Sequence, residues 1–394
     1  MENRQREILE QLIQKGVSIP CPESVEIGPD VDPERISGRG VTLHPGCRLR
    51  GSKTLILPGV ELGSEAPVTV HNCQIGKDVK LQGGFFQECC FLDGAFVGSG
   101  AQFRGGCLME ERSRAAHTVG LKQTVLFPYV TLGSLINFCD CLMAGGTSEE
   151  DHSEVGSSYI HFNYTPNQDK ATASLIGDVP RGVMLRERPI FLGGQGGVVG
   201  PVRIGYGVVV AAGTLVRKDI LEEDTIIFGS SAPARNFPFH PGLYTNPRRL
   251  IQLNTLYIAN LMALRRWYLD VRASFAAGGE AERALHMGAV DKLQSGISER
   301  LKRFGQVAAR MEQSIEIYQE ITSGRAPESA VGLKKAFADG WPQMEETFLD
   351  AMGDAGDARL RGRFLEGLDG SDSKDRGSYL GMIKGLRPDV SETG

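Results

Sequence analysis

The sequence predicts a mainly-β chain, a left-handed parallel β-helix of hexapeptide repeats, followed by an α-helical C-terminal domain. Three observations point there. Short apolar steps recur with glycine, as in Ile27-Gly28-Pro29-Asp30-Val31, Ile75-Gly76-Lys77-Asp78-Val79, Val97-Gly98-Ser99-Gly100-Ala101 and Ile204-Gly205-Tyr206-Gly207-Val208. Apolar residues thus return every five or six positions, which fits neither a 3.6-residue helix nor a long alternating strand. Three hexads close a coil of about 18 residues, so equivalent side chains stack in columns. Second, the chain holds 50 glycines, which suits corners that need positive φ. Third, the period changes near residue 245.

In chain order, residues 1–16 read as an amphipathic N-terminal helix. Residues 17–245 read as the β-helix, with an irregular insertion around 104–190. Cys73, Cys90 and Cys107, 17 residues apart, are expected to form one column. A β-sandwich is the alternative, but its strands should come every 8–12 residues. Residues 246–370 read as helical. Leu250, Leu253, Tyr257, Leu261, Leu264, Tyr268 and Val271 form one stripe, and Val290 through Tyr318 a second over about four heptads. The two read as an antiparallel hairpin or an oligomerisation coil. Trp341-Pro342 suggests a break in a third helix. The tail, 371–394, is weakly patterned and expected to be partly disordered.

Composition excludes several function classes. With 43 Lys+Arg against 48 Asp+Glu the net charge is −5, so there is no basic field for nucleic acid. No apolar run approaches the ~20 residues that span a bilayer, so no membrane partner is expected. The N-terminus lacks a signal peptide's apolar stretch, which predicts a cytoplasmic protein with free thiols. The eight cysteines lack zinc-knuckle spacing, so no metal is expected.

Polar groups concentrate between 104 and 175. Three imidazoles there, His117, His152 and His161, offer a base near neutral pH. The arginines and lysines there, Arg104, Arg112, Arg114, Lys122 and Lys170, could hold a phosphate. Ala144-Gly145-Gly146-Thr147-Ser148 would let a ligand approach the backbone, and Asn163-Tyr164-Thr165-Pro166 reads as a rigid turn presenting an amide and a phenol.

On these residues the chain resembles the acetyltransferase domain of the bacterial GlmU family, bifunctional N-acetylglucosamine-1-phosphate uridyltransferases and glucosamine-1-phosphate acetyltransferases. Over 100–235 the matching stretches are Asn163-Tyr164 with Lys170 and Leu175-Ile176-Gly177-Asp178, then Phe191-Leu192-Gly193-Gly194 through Ala211-Ala212-Gly213-Thr214, then Ser231-Ala232-Pro233-Ala234-Arg235. Arg104 and Lys122 stand 18 residues apart, like the family's sugar-phosphate-binding arginine and lysine. The departures are plain. The family's catalytic histidine lies about a dozen residues beyond the lysine, and Phe127–Ile136 holds none, the nearby candidates being Asn137 and Asp140. Val179 to Ile190 looks inserted. The uridyltransferase half has no counterpart.

The resemblance implies acetyl transfer from acetyl-CoA, as co-substrate, to an amino sugar phosphate or nucleotide sugar, in a homotrimer whose sites are completed by a neighbour. Arg104, Lys122, Asn137, Asn163, Tyr164 and Lys170 would bind the sugar. Gly194, Ala212, Arg217, Lys218 and Arg235 would bind coenzyme A. The base is expected to be His152, made more basic by Asp151, or else His161. Two rivals stand beside this reading. One is a non-catalytic sugar-nucleotide-binding or scaffold protein. The other is a γ-carbonic-anhydrase-like zinc enzyme using His117, His152 and His161.

Overall fold

The computed structural model describes residues 2–229, 236–276, 278–353, 358–369 and 378–386. From residue 26 to 227 the chain winds as a parallel β-solenoid with three faces, and its strand pairs are all parallel. That excludes the sandwich. The A face carries ten short strands from Thr42–Leu43 to Ile226–Ile227. The B face runs from Glu26–Ile27 to Leu215–Val216, and the C face from Leu55–Ile56 to Arg203–Ile204. Two seven-residue strands, Gly120–Leu126 and Asn137–Met143, bend round the corner from B to C and join those faces into one sheet. The corner is tight enough to hold Asn72, Glu88, Gln123 and Asp140 at positive φ, a backbone region that costs non-glycine residues energy.

The lumen is filled by one column per rung position. Leu43, Leu62, Leu81, Val97, Ala115, Leu132, Val155, Leu192 and Val210 line up inside the A face. Phe86, Phe91 and Phe103 pack with ring centroids 5.3–5.9 Å apart. The thiol column is not the one that equal spacing predicts. Cys89 pairs with Cys107, while Cys90 pairs with Gln74 and Leu108 and points outward, its Sγ facing the carbonyl of Leu285. Coil length varies by a residue or two, and a one-residue slip moves a side chain to the opposite surface.

The register continues unbroken through 104–143. The longer excursions are 144–153, 163–173 and 177–190, the last containing the short helix α2 (Val179–Gly182). At the N-terminus α1 (Glu2–Lys15) buries Ile8 and Leu12 against the first coil. After the solenoid, α3 (Arg248–Asp270) and α4 (Glu280–Ala308) pack together and against the outside of the C face. Gly288 of α4 lies so close to Gln74 that a Cβ there would meet its side chain at 2.6 Å. The expected four-heptad helix is broken: α4 ends at Ala308 and α5 (Met311–Ile321) begins after Arg310. The expected break at Pro342 is absent, since α6 (Glu328–Gly353) runs through it. Then come α7 (Ala358–Asp369) and α8 (Tyr379–Lys384). Of the tail read as partly disordered, 371–377 and 387–394 lie outside the described residues. The stretch between them is ordered by burying Tyr379 and Ile383.

Candidate functional site

The edge where the B face turns into the C face gathers the polar residues. Phe103 pairs with Leu121, which sets Arg104 beside Lys122 on consecutive rungs, and Lys122 pairs with Cys139 on the next. The Arg104 guanidinium lies 4.9 Å above the Phe85 ring, and neither cation meets a carboxylate among the described residues. Both open on a cleft of about 600 Å³ between this edge and α4, whose other walls include Gln87, Glu88, Glu299 and Arg303. Arg303 Nε donates to Glu299 Oε1 at 2.8 Å and Nη1 to Gln306 Oε1 at 3.2 Å, leaving Nη2 without a described partner.

One rung further on, Asp140 ties the edge to the helices. Its carboxylate meets Arg300 of α4 at 2.8 Å, with the two side chains only 4% and 2% exposed. Burial pushes the Asp140 carboxyl up, and Arg300 and the Asn163 amide oppose the rise. Asn163 Nδ2 donates to Asp140 Oδ2 at 3.3 Å. Arg300 Nη1 donates to the Lys170 carbonyl at 2.7 Å. The excursion 163–173 is thereby bound to the helical region, and further bonds hold it, among them Gly242 N–H donating to Asn167 Oδ1 at 2.8 Å. Asn254 donates to the Ala171 carbonyl at 3.0 Å, Arg310 to that of Asn167 at 2.5 Å, and the Tyr244 hydroxyl to Asp169 Oδ2 at 2.7 Å. Lys122 and Lys170 both act on the Cys139 thiol, yet burial and the Asp140 charge prevail and push it up to about 11.

The structure therefore brings Arg104 and Lys122 together at the cleft, and places Asn163 and Lys170 further along the edge, beside Asp140 and Arg300, outside the cleft walls. Asn137 lies exposed on the B face, two residues before Cys139. Tyr164 projects into solvent, 65% exposed, and does not line the cleft. Sequence reasoning missed Glu299, Arg300 and Arg303, which read as the polar face of a helix. It named Asp140 only as a neighbour of an absent histidine.

The two expected bases are elsewhere. His161 points into the lumen, 2% exposed, between Phe138 and Val198 in neighbouring rungs. Ser174 Oγ accepts the Val202 N–H and meets His161 Nε2 at 2.8 Å. Burial pulls the imidazole down to about 4, so it is neutral and out of a substrate's reach. His152 lies in the excursion 144–153, where the C face leads back to A, on a different edge from Arg104. Its Nδ1 sits 2.6 Å from the Glu149 carbonyl, while Asp151 accepts from Thr147 instead of supporting it. His117 occupies the third edge, between A and B, with Nδ1 2.9 Å from Ser134 Oγ. Three histidines on three separate sites do not converge on a metal within one chain. Among the described residues no group of three His, Cys, Asp or Glu side chains could hold an ion.

Gly194 and Ala212 lie at the same A–B edge as His117. Small residues are required there: a Cβ on Gly156 would strike the Gly194 nitrogen at 2.4 Å, and one on Gly193 the Ala212 nitrogen at 2.3 Å. Arg217 and Lys218 are exposed after the last B-face strand, across that face from Gly194. Arg235 lies outside the described residues. No helix among them is long and apolar enough to cross a membrane.

No family model matches the chain. Curated relatives do, and three of them carry the same name, bifunctional protein GlmU. The protein from Thermotoga petrophila is 26% identical over 213 residues, 54% of this chain and 42% of its own length. That from Trichormus variabilis is 27% identical over 223 residues, 57% and 44%. That from Burkholderia thailandensis is 27% identical over 238 residues, 59% and 46%. The chain spans less than half the length of the relatives it matches. The resemblance read from Asn163-Tyr164 and the glycine-rich rungs is borne out at that level, on a β-solenoid.

Proposed function

We propose that the protein transfers an acetyl group from acetyl-CoA to the amine of an amino sugar phosphate or nucleotide sugar, in the manner of glucosamine-1-phosphate N-acetyltransferases. The observation that carries this reading is the pair Arg104 and Lys122. These are two cations on consecutive rungs, free of carboxylate partners among the described residues, opening on one cleft. Unpaired cations held side by side suit a phosphate. Similarity to the GlmU proteins supports the acyl-transfer chemistry.

The amine nitrogen would attack the thioester carbonyl, form the amide bond and pass its proton to a base as the coenzyme A thiolate leaves. His117 suits that base better than His152 or His161. It is exposed, Ser134 orients it, and Ser134 stands about a dozen residues beyond Lys122, where the resembled family keeps its histidine. The small residues of the same edge, Gly194 and Ala212, would let the pantetheine approach the backbone, and an N–H there would face the developing oxyanion. Five residue steps separate His117 from Lys122. At ~3.3 Å per residue that is up to roughly 16 Å, more than a sugar phosphate spans. A neighbouring copy would bring the imidazole to the cations. The outward apolar residues of the B face, Ile160, Phe162 and Leu215, suit contact within such a trimer.

The test is coenzyme A release with glucosamine-1-phosphate and related amino sugars. Arg104→Ala and Lys122→Ala should raise KM at least tenfold. His117→Ala should lower kcat about 10²-fold or more, and His152→Ala should leave it unchanged. Silence across the panel with phosphate binding retained would replace the enzyme by the non-catalytic binding protein.

A further inference from the structure

We infer that Glu88 reads the amine of the acceptor, so that the cleft selects a sugar phosphate carrying an ammonium group over its hydroxyl counterpart and over its own N-acetylated product. This rests on the reading of the cleft as the phosphate site and names the group that recognises the other end of the substrate.

Two observations lead there. The first is a carboxylate left over at a corner that elsewhere spends its polar side chains. Asn72, Glu88 and Asp140 occupy the B-to-C corner on different rungs, all at positive φ. Asn72 Oδ1 accepts the Lys53 N–H at 3.1 Å, and Asp140 pairs with Arg300 at 2.8 Å. The Glu88 carboxylate has no hydrogen bond or ion pair among the described residues, and it lines the cleft. Gly105, the residue after Arg104, marks its place, since an added Cβ there would stand 3.0 Å from Glu88 Oε2. The anion lies beside the two cations without being taken up by either.

The second observation is the balance of charge. Arg303 and Glu299 pair with each other at 2.8 Å and cancel. Arg104 and Lys122 against Glu88 then leave the cleft with one net positive charge. A phosphate monoester carries close to −2 at pH 7. With an ammonium on the same sugar the ligand comes to about −1, which matches the cleft in sum and in layout. A hydroxyl in that place would bring no charge to Glu88, whereas an ammonium offers it three donors and bonds that are charge-assisted. Acetyl transfer removes the charge that Glu88 holds, so the reaction itself loosens the product. The spacing agrees. Gln87, Arg104 and Lys122 follow one another on consecutive rungs. At ~4.8 Å per rung Glu88 lies up to roughly 10 Å from Lys122, the scale of one sugar ring with its two charged groups.

The experiment is calorimetric titration of the full chain at pH 7 with glucosamine-1-phosphate, glucose-1-phosphate and N-acetylglucosamine-1-phosphate. The amino sugar should bind at least tenfold more tightly than the other two. Glu88→Gln should weaken glucosamine-1-phosphate about tenfold and leave glucose-1-phosphate unchanged or tighter, because a carboxylate repels a phosphate. Glu88 is exposed, so the substitution should not unfold the chain. A carboxylate that merely balances Arg104 and Lys122 gives the opposite sign, its removal tightening all three ligands alike. That result, or equal affinities in the parent, would overturn the inference. Arg104→Ala separates the two levels. If it weakens all three ligands at least tenfold while Glu88→Gln changes nothing, only the reading of the amine falls. If binding survives it, the cleft is not the phosphate site and the acetyltransferase reading falls as well.

Discussion

The B and C faces of the solenoid are built from the same rungs and share a lumen, yet one is open and the other is covered. On B the strands alternate: Arg48-Leu49-Arg50, Val68-Thr69-Val70-His71 and Ala101-Gln102-Phe103 turn every second residue to solvent. On C they do not: Cys89-Cys90-Phe91, Cys107-Leu108-Met109 and Cys141-Leu142-Met143 are buried on both surfaces. The outward column Cys90, Leu108, Val125, Leu142 and Leu175 is the bed on which α3 and α4 lie. Parallel strands buried on both sides read as continuous apolar runs. The lesson is one of placement. A solenoid face becomes a platform when its outward column turns apolar, and the helices then arrive at the adjoining edge with side chains of their own, Glu299, Arg300 and Arg303.

The most direct way to break that arrangement is at Asp140 and Arg300, where the edge and α4 meet with both side chains almost wholly buried. Removing one partner leaves the other charge buried and uncompensated, so Arg300→Ala should cost about 3–5 kcal/mol in denaturant unfolding. Replacing both by leucine should recover much of it. A loss under about 1 kcal/mol for Arg300→Ala would mean that α4 is not held at this edge.

A second measurement sharpens the contrast by taking one outward residue from each face. Leu142, fully buried under the helices, should cost about 2–5 kcal/mol as alanine. Gln102, exposed on B, should change stability by less than about 0.5 kcal/mol. Equal effects would deny that the helices cover one face only.

The coil and its two cations were legible because both are local in the repeat. An 18-residue spacing is one coil, so Arg104 and Lys122 had to be neighbours in a column. The covered face was equally visible, since Cys89-Cys90-Phe91-Leu92 holds no polar residue of its own, but it is read only once C is told from B. Arg303 was beyond reach because nothing in a sequence says which wall of a rod a later helix will lie on. Parity was the other obstacle. In Ile160-His161-Phe162 the polar residue reads as the outward one, and the structure turns it in and the two apolar ones out. A shift of one residue decides between a base and a lumen side chain.

His161 also offers the smallest and sharpest test, because it lies beneath the open face. If an uncovered face let water into the lumen, the imidazole would titrate normally. The structure holds it down to about 4 against an ordinary ~6.5 in the unfolded chain. With the folded value depressed, nothing is lost above pH ~6.5. As pH falls, the unfolded chain takes up the proton first and stability drops until both forms are charged near pH 4, a total on the order of 3 kcal/mol. Glu110 works in the opposite sense. Burial raises its carboxyl to about 7, so it destabilises the fold as pH rises from ~4.5 to 7. Comparing the chain with His161→Asn by denaturant unfolding at pH 7, 5.5 and 4 cancels Glu110 and isolates the imidazole. The variant should lose less stability than the parent on acidification, by up to that amount. Parallel curves would show a wet lumen under the B face, and cover by helices would then be what keeps a solenoid face dry.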